Sequence, residues 1–258
     1  MREFVRQVVV LGRRSIMRTL RQPASIVPSL LFPLMLLAVN TGGLRGATNL
    51  EGFPTDSFLD FALGFAFLQG AVFATVNSGT DLARDIQTGF MNRLALTPVR
   101  GVALIFGQLA GVAVLALIQA VVFLGAGLAA GASVRAGVSG ALVILILSFL
   151  VSVAFAGVGA LLAVRTGSGE AIQGLFPLVF ATLFLSSMNM PRNLIDADWF
   201  RVIATINPVS YLIEGIRSLI LEGWNVEALA LGFGIVFVIL VVGIGGAVLA
   251  LRSRLARV

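Results

Sequence analysis

The side chains that make and break bonds in most enzymes are missing here: 258 residues contain no cysteine, no histidine and no lysine. Their absence removes disulfides, thiolate and imidazole metal sites, haem attachment through cysteine and every nucleophile that needs a histidine base. It also removes the phosphate-cradling loop Gly-x-x-x-x-Gly-Lys-Ser/Thr, whose ammonium must reach the β- and γ-phosphates while backbone N–H groups wrap them. What remains is 18 arginines against 12 carboxylates, a net charge of +6. Such groups pair, orient and hold. No catalytic, cofactor-binding or metal-ligating set is assigned, and the chain is read as no enzyme by itself. The arginines sit between apolar runs and at the chain ends, so lipid headgroups or a protein partner are expected beside them, and nucleic acid is not.

Three clusters carry what chemistry there is. The first lies in 81–101, where Arg84, Asp85, Gly89, Phe90, Arg93, Leu94, Leu96 and Pro98 follow one another. Helix connections in bundles take about 2–8 residues, so a segment of this size is expected to do more than reverse the chain. Phe90, Met91, Leu94 and Leu96 are side chains that water should not see, and 92–96 reads as a short helix stopped by Pro98. They read as a knob that docks into a groove on another protein; the alternative is that they dip into a leaflet. The second cluster, Asn207, Pro208, Tyr211 and Glu214, opens a helix expected over 209–220 with proline in its first turn. Trp199, Tyr211 and Trp224 have the amphipathic rings found at headgroup depth, so 191–226 is expected to form short helices half-submerged in the outer leaflet. The third set is uncharged and dispersed: Asn40, Gln69, Asn77, Gln108, Gln119, Ser186, Ser187 and Asn189. Most are expected to bond a neighbouring helix for about 0.6 kcal/mol each, and those near a dimer seam would line a substrate path.

The elements that must position these residues are apolar. Hydrophobic residues make up 58% of the chain, against roughly 45–50% in soluble domains, and the mean hydropathy is +1.02. Six runs are long enough to cross a core of about 30 Å as helices: Ala24 to Thr41, Phe61 to Thr80, Val102 to Gly131, Val138 to Val164, Ala171 to Met190 and Ala228 to Leu251. They lack apolar/polar alternation, which favours helices over barrel strands. With six spans both ends of the chain share a face. That face holds Arg2, Arg6, Arg13, Arg14, Arg18, Arg21, Arg84, Arg93, Arg100, Arg165, Arg252, Arg254 and Arg257, against Arg45, Arg135, Arg192, Arg201 and Arg217 opposite. Positive charge is retained inside, so both termini are expected in the cytoplasm.

Residues 1–22 show no Ala-x-Ala cleavage pattern and are not read as a removable signal. Val5, Val9, Gly12, Ile16 and Leu20 recur at helical spacing, with Arg6, Arg13, Arg14, Arg18 and Arg21 around them. An amphipathic helix lying flat on the inner leaflet is expected, ended before Pro23. Gly107 with Gly111, Gly127 with Gly131, and Gly243, Gly245 and Gly246 are expected to let helices approach closely. Pro177 is expected to kink the fifth span. No Asp, Glu or His falls well inside a run: Asp60 and Asp81 bracket the second and Glu170 opens the fifth. An ion-coupled carrier needs such groups in mid-membrane, and is disfavoured.

At these residues the chain resembles the permeases of type-2 ABC exporters, in particular the daunorubicin-resistance-like drug-efflux branch. The likeness rests on Asp85, Gly89, Arg93, Pro98 and Arg100; on Asn207-Pro208-Val209-Ser210-Tyr211 with Glu214 and Arg217; and on the arginine-rich leader running into Pro23, Pro28 and Pro33. It covers essentially the whole chain. The resemblance implies an all-α integral membrane domain over 1–258 with six spans, residues 1–22 as an interfacial helix, a coupling helix from Arg84 to Pro98 in the loop 81–101, and outer re-entrant helices in 191–226. It implies a separate ATP-binding subunit in two copies, which holds ATP and Mg, and a second permease, either self or a close homologue. It also implies the inner membrane of a prokaryote and export of hydrophobic or amphipathic compounds. A passenger that is a lipid or lipid-linked glycan is the first alternative, an ion-coupled carrier the second, and a scaffold that transports nothing the third.

Overall fold

Local chemistry sets most helix boundaries. The computed structural model describes residues 2–95 and 100–255, and their side chains except at 92, 94, 95 and 255. Helix α1 (Arg2–Leu20) stops short of Pro23, which opens α2 (Pro23–Gly43) in its first turn, where its missing N–H is no loss. Ser57 caps α3 (Phe58–Gln87), its hydroxyl accepting from the Asp60 N–H at 3.3 Å. Gly89, at φ +69°, turns the chain into α4 (Phe90–Ala95). Then come α5 (Gly101–Ala129), α6 (Gly137–Thr166) and α7 (Gly169–Phe184), the last capped by Ser168. Asn207 ends α8 (Asp198–Ile206) and caps α9 (Pro208–Leu221). Helix α10 (Val226–Leu240) continues through a π-helical stretch, Val241–Gly245, into α11 (Gly246–Leu255). No strand occurs among the described residues.

Five helical stretches are long and apolar enough to cross a membrane: Pro23–Gly43, Phe58–Gln87, Gly101–Ala129, Gly137–Thr166 and Val226–Arg254. Two expectations from sequence are corrected. Helix α3 does not stop near Thr80 but runs on through Asp81, Arg84 and Asp85 to Gln87, because its carboxylates find arginine partners on α1. The connection to α5 therefore begins at Thr88. The fifth candidate does not reach Met190; α7 ends at Phe184 after 16 residues, below the about 20 that a span normally takes. The reason is competition for its carbonyls. Asn207 Nδ2 donates to the carbonyls of Thr182 and Leu185, and the Ser187 N–H bonds Ser210 Oγ.

Helix α3 is the axis of the bundle, with Phe61, Phe65, Leu68, Ala71 and Leu82 fully buried among α2, α5, α6, α7 and α9. Where α3 crosses α6, a Cβ on Gly79 would lie 3.0 Å from the Gly159 carbonyl, and one on Gly159 would strike the Thr75 carbonyl. Small residues at that crossing give the backbone contact that drives helix association when lipid is as apolar as leucine. Gly157 and Gly243 meet in the same way between α6 and the π-helical stretch.

Contacts define two ends of the bundle. Gln7 with Arg100, Gly101 with Leu251, and Arg254 with Val164 lie at one end, so the start of α1 and the end of α11 share it. Asp60 with Ser133, and Arg217 with Phe61, mark the other. Gly169 sits beside Thr80, and Ser187 shares the Arg217 guanidinium with Phe61. Segment 169–187 thus covers the depth that α3 covers between Thr80 and Phe61, about 28 Å at ~1.5 Å per residue.

Candidate functional site

At the end that gathers the start of α1 and the end of α11, α1 is seated on α5 by glycine. A Cβ on Gly107 would collide with Leu11, and one on Gly111 would fall 2.6 Å from Ser15 Oγ. Ser15 Oγ donates to the Gln108 carbonyl at 2.7 Å and accepts from the Gly111 N–H at 3.2 Å. The contacts advance together, from Gln7 on Arg100 through Leu11 on Gly107 to Ser15 on Gly111, so α1 runs parallel to the first turns of α5. The apolar face read from sequence is thereby split. Val5, Val9 and Leu20 are exposed and Ile16 is half-buried, but Gly12 is buried against Ala110 and belongs with Ser15 and Thr19 to a small-residue seam.

The arginines of α1 have a purpose beyond the membrane surface. Arg14 grips Asp85 with both terminal nitrogens at 2.9 Å, and Arg18 reaches Asp85 at 3.1 Å and Asp81 at 2.8 Å. The hydrogen bond to Asp85 raises the Arg14 pKa above its ordinary value against the opposing effect of partial burial. Arg14 also lies 3.9 Å above the ring of Phe90, the first residue of α4. One arginine therefore touches the last turn of α3 and the first turn of α4. Asp85, read from sequence as a residue that docks a partner, is buried and committed within the chain. Arg84 and Arg93 are exposed, Phe90 is half-buried, and Gly89 makes the turn between helices. The Leu94 side chain, Leu96 and Pro98 lie outside the described residues. Sequence reading missed the Arg14/Arg18–Asp81/Asp85 clamp, although one signal was present: each pair is spaced i,i+4, which puts both members on one helix face.

At the opposite end the Asn-Pro-x-Ser-Tyr run works as an anchor. Asn207 Oδ1 accepts from the Val209 N–H while its Nδ2 holds the end of α7. Ser210 Oγ donates to the Ala204 carbonyl at 2.6 Å, and the Tyr211 hydroxyl to that of Thr205 at 2.8 Å, folding α8 onto α9. Glu214 pairs with Arg192 at 2.6 Å, and Arg192 lies over the Tyr211 ring. Sequence placed Arg217 in an outer surface segment; it is 6% exposed. Its Nε donates to the Phe61 carbonyl and its terminal nitrogens to those of Ser187 and Met188, each at 3.0 Å, with its guanidinium 3.5 Å from the centre of the Phe61 ring. Three elements meet on that one side chain. Helix α9 is accordingly packed into protein rather than half-submerged, whereas α8 keeps Trp199, Val202 and Ile206 exposed.

The uncharged set does not converge on one passage. Gln69 is fully buried with both side-chain polar atoms unpartnered; Gln119 donates to the Ser29 carbonyl at 3.1 Å; Gln108 adjoins α1. Ser186 bonds the Leu183 carbonyl, while Ser187 and Asn189 sit in the turn after α7 and Asn40 lies half-buried in α2. Asn77 opens onto a cavity of about 670 Å³ between the α1–α2 elbow, α3, α5 and the start of α7.

The family model described as ABC-2 type transporter matches residues 6–221. A putative transport permease named ycf38 from Porphyra purpurea is 26% identical over 226 residues, covering 86% of this chain and 77% of the relative. A daunorubicin resistance ABC transporter permease protein, DrrB1, from Streptomyces coeruleorubidus is 29% identical over 212 residues, covering 80% and 72%. The ycf38 protein of Cyanophora paradoxa is 27% identical over 222 residues, covering 84% and 74%.

Proposed function

Since the chain belongs to the ABC-2 type transporter family, we propose that it is the membrane-spanning half of an ATP-driven exporter whose motor is a separate ATP-binding subunit. Two copies of that subunit, carrying ATP and Mg, serve two permeases, the second being this chain or a close homologue. Six spans cross the inner membrane of a prokaryote with both termini in the cytoplasm, segment 169–187 making the fifth crossing. The depth it shares with α3 supports that count.

The observation that carries the reading is the joint at Gly89. Helix α4, with Arg93 exposed, hangs from a long rigid helix whose last turn is clamped to α1. A push on α4 from the cytosol passes into α3 through Phe90 and Arg14, and into α5 through the glycine seam. Helix α3 carries it to Phe61, where Arg217 ties in α9, on which Ser210 and Tyr211 hold α8 over the exit. The passenger is hydrophobic or amphipathic, since the spans offer it no buried charge at mid-depth. The relative named for daunorubicin resistance favours a drug-like compound; a lipid or lipid-linked glycan is the second reading.

Arg93→Glu combined with Leu94→Asp tests the coupling. Transport by the reconstituted complex is expected to fall to background while the permease keeps its helical content and detergent stability. Normal export by that variant would remove α4 from the mechanism.

A further inference from the structure

Beside the cavity of about 670 Å³ lies a second of about 300 Å³. The two share Ala24, Ser25, Val76, Asn77 and Gln173, and their chemistry differs. The larger is lined by Arg21, Arg84, Asn77, Thr80 and Glu170, with Asp81 already bound to Arg18 at 2.8 Å. Asn77 Nδ2 and Thr80 Oγ1 are buried and make no hydrogen bond. The mouth is therefore rich in donors and carries more positive than negative unpaired charge. A buried donor without a partner is unfavourable by itself, so these two await an acceptor. The smaller cavity is lined by Pro28, Phe73 and Phe176. From there an aromatic wall continues, Phe73 to Phe176 at 5.6 Å, Phe176 to Phe180 at 5.4 Å and Phe180 to Phe184 at 5.3 Å. Phe32 of α2 closes it from the other side, 6.0 Å from Phe73 and 5.7 Å from Phe180.

Resting on the permease reading above, we infer that this groove between α2, α3 and α7 admits an amphiphile with an anionic headgroup from the cytosolic leaflet. The headgroup oxygens, of a phosphate or carboxylate, sit against Arg21, Arg84, Asn77 and Thr80, and the tail lies along the phenylalanine wall. Helix α1 ends at the mouth, and the elbow of Gln22 and Pro23 forms one lip. A neutral headgroup would leave the two arginines with Glu170 as the unpaired carboxylate of the mouth, and a cationic one would add to their excess positive charge.

Binding tests the site without any nucleotide or partner. The full-length permease is placed in nanodiscs of phosphatidylcholine and titrated with a fluorescent-tailed alkyl phosphate and with the alcohol of the same tail. The phosphate is expected to bind tighter by roughly tenfold or more, from about 1 kcal/mol per arginine near the surface. Arg21→Gln with Arg84→Gln should erase the preference while leaving the alcohol's affinity unchanged. Phe73→Ala with Phe176→Ala should weaken both probes. Equal affinity of the two probes for the native chain, or a preference that survives loss of both arginines, would overturn the inference. Transport of the alkyl phosphate by the complex with ATP is a separate readout. Its failure alongside intact selective binding strikes the exporter reading and leaves the site standing.

Discussion

Two buried charges decide more than their neighbours. Asp85 is held by Arg14 and Arg18, so Asp85→Asn keeps the shape and removes the charge that both guanidiniums answer. Losing one partner of a buried pair strands the other, and α1 should loosen from α3 by about 1–3 kcal/mol. The chain has no cysteine of its own, so Ser15→Cys in the seam gives a clean reporter. Its modification by a maleimide should quicken about 5- to 100-fold when Asp85→Asn is added, and an unchanged rate would show that the clamp does not hold α1. Arg217 differs in having carbonyls rather than a carboxylate as partners. Arg217→Gln should lower the apparent unfolding temperature in detergent, followed through Trp199 and Trp224, with a loss of about 2–4 kcal/mol. Arg217→Lys should recover only part, because an ammonium lacks the planar fork that meets three carbonyls at once. Full recovery by lysine would mean that charge, not geometry, is what the site requires.

Among elements, those announced by local chemistry were legible and those made by distant pairing were not. Pro23, Asn207-Pro208 and the apolar runs mark where α2, α9 and the long helices begin, and the structure has them there. The end of α3 was misplaced because Asp81 and Asp85 look like a reason to leave the membrane until their partners, 67 and 71 residues away for Asp85, are seen. The end of α7 was misplaced for the same kind of reason, since Asn207 takes its carbonyls from across the fold. Gly107 and Gly111 were read correctly as a close-approach pair, but the partner that approaches, α1, was expected on the lipid surface. Gly111→Val should therefore unseat α1 and expose Ser15→Cys to maleimide as Asp85→Asn does. Gly125→Ala, on the same helix with nothing within 4 Å of an added Cβ, should leave labelling unchanged and favour the helix by up to about 1 kcal/mol. Equal labelling of both variants would deny the seam.

For the whole molecule the question is where work enters. Helices α2 and α5 carry no Asp, Glu or Arg, and those of α6, α7 and α9 stand near the ends of α3, Arg165 and Glu170 toward Thr80 and Glu214 and Arg217 toward Phe61 and Gly64. The charges gather instead at the two ends, Asp81 and Asp85 with α1, and Asp60, Glu214 and Arg217 with the outer helices. The stretch from Gly64 to Thr80 between them, about 24 Å at ~1.5 Å per residue, is too wide for protons to step between side chains. A proton or sodium gradient would find no Asp, Glu or Arg between those levels, and on the reading proposed above motion arrives through the backbone from the end that carries α4. Reconstituted alone in vesicles, the chain should accumulate no cargo uphill when a pH or sodium gradient is imposed. With its ATP-binding partner and ATP it should, and Asp85→Asn should slow that transport. Uphill accumulation driven by a gradient in the absence of nucleotide would mean that the ends communicate by charge, and the mechanical route through α3 would have to be abandoned.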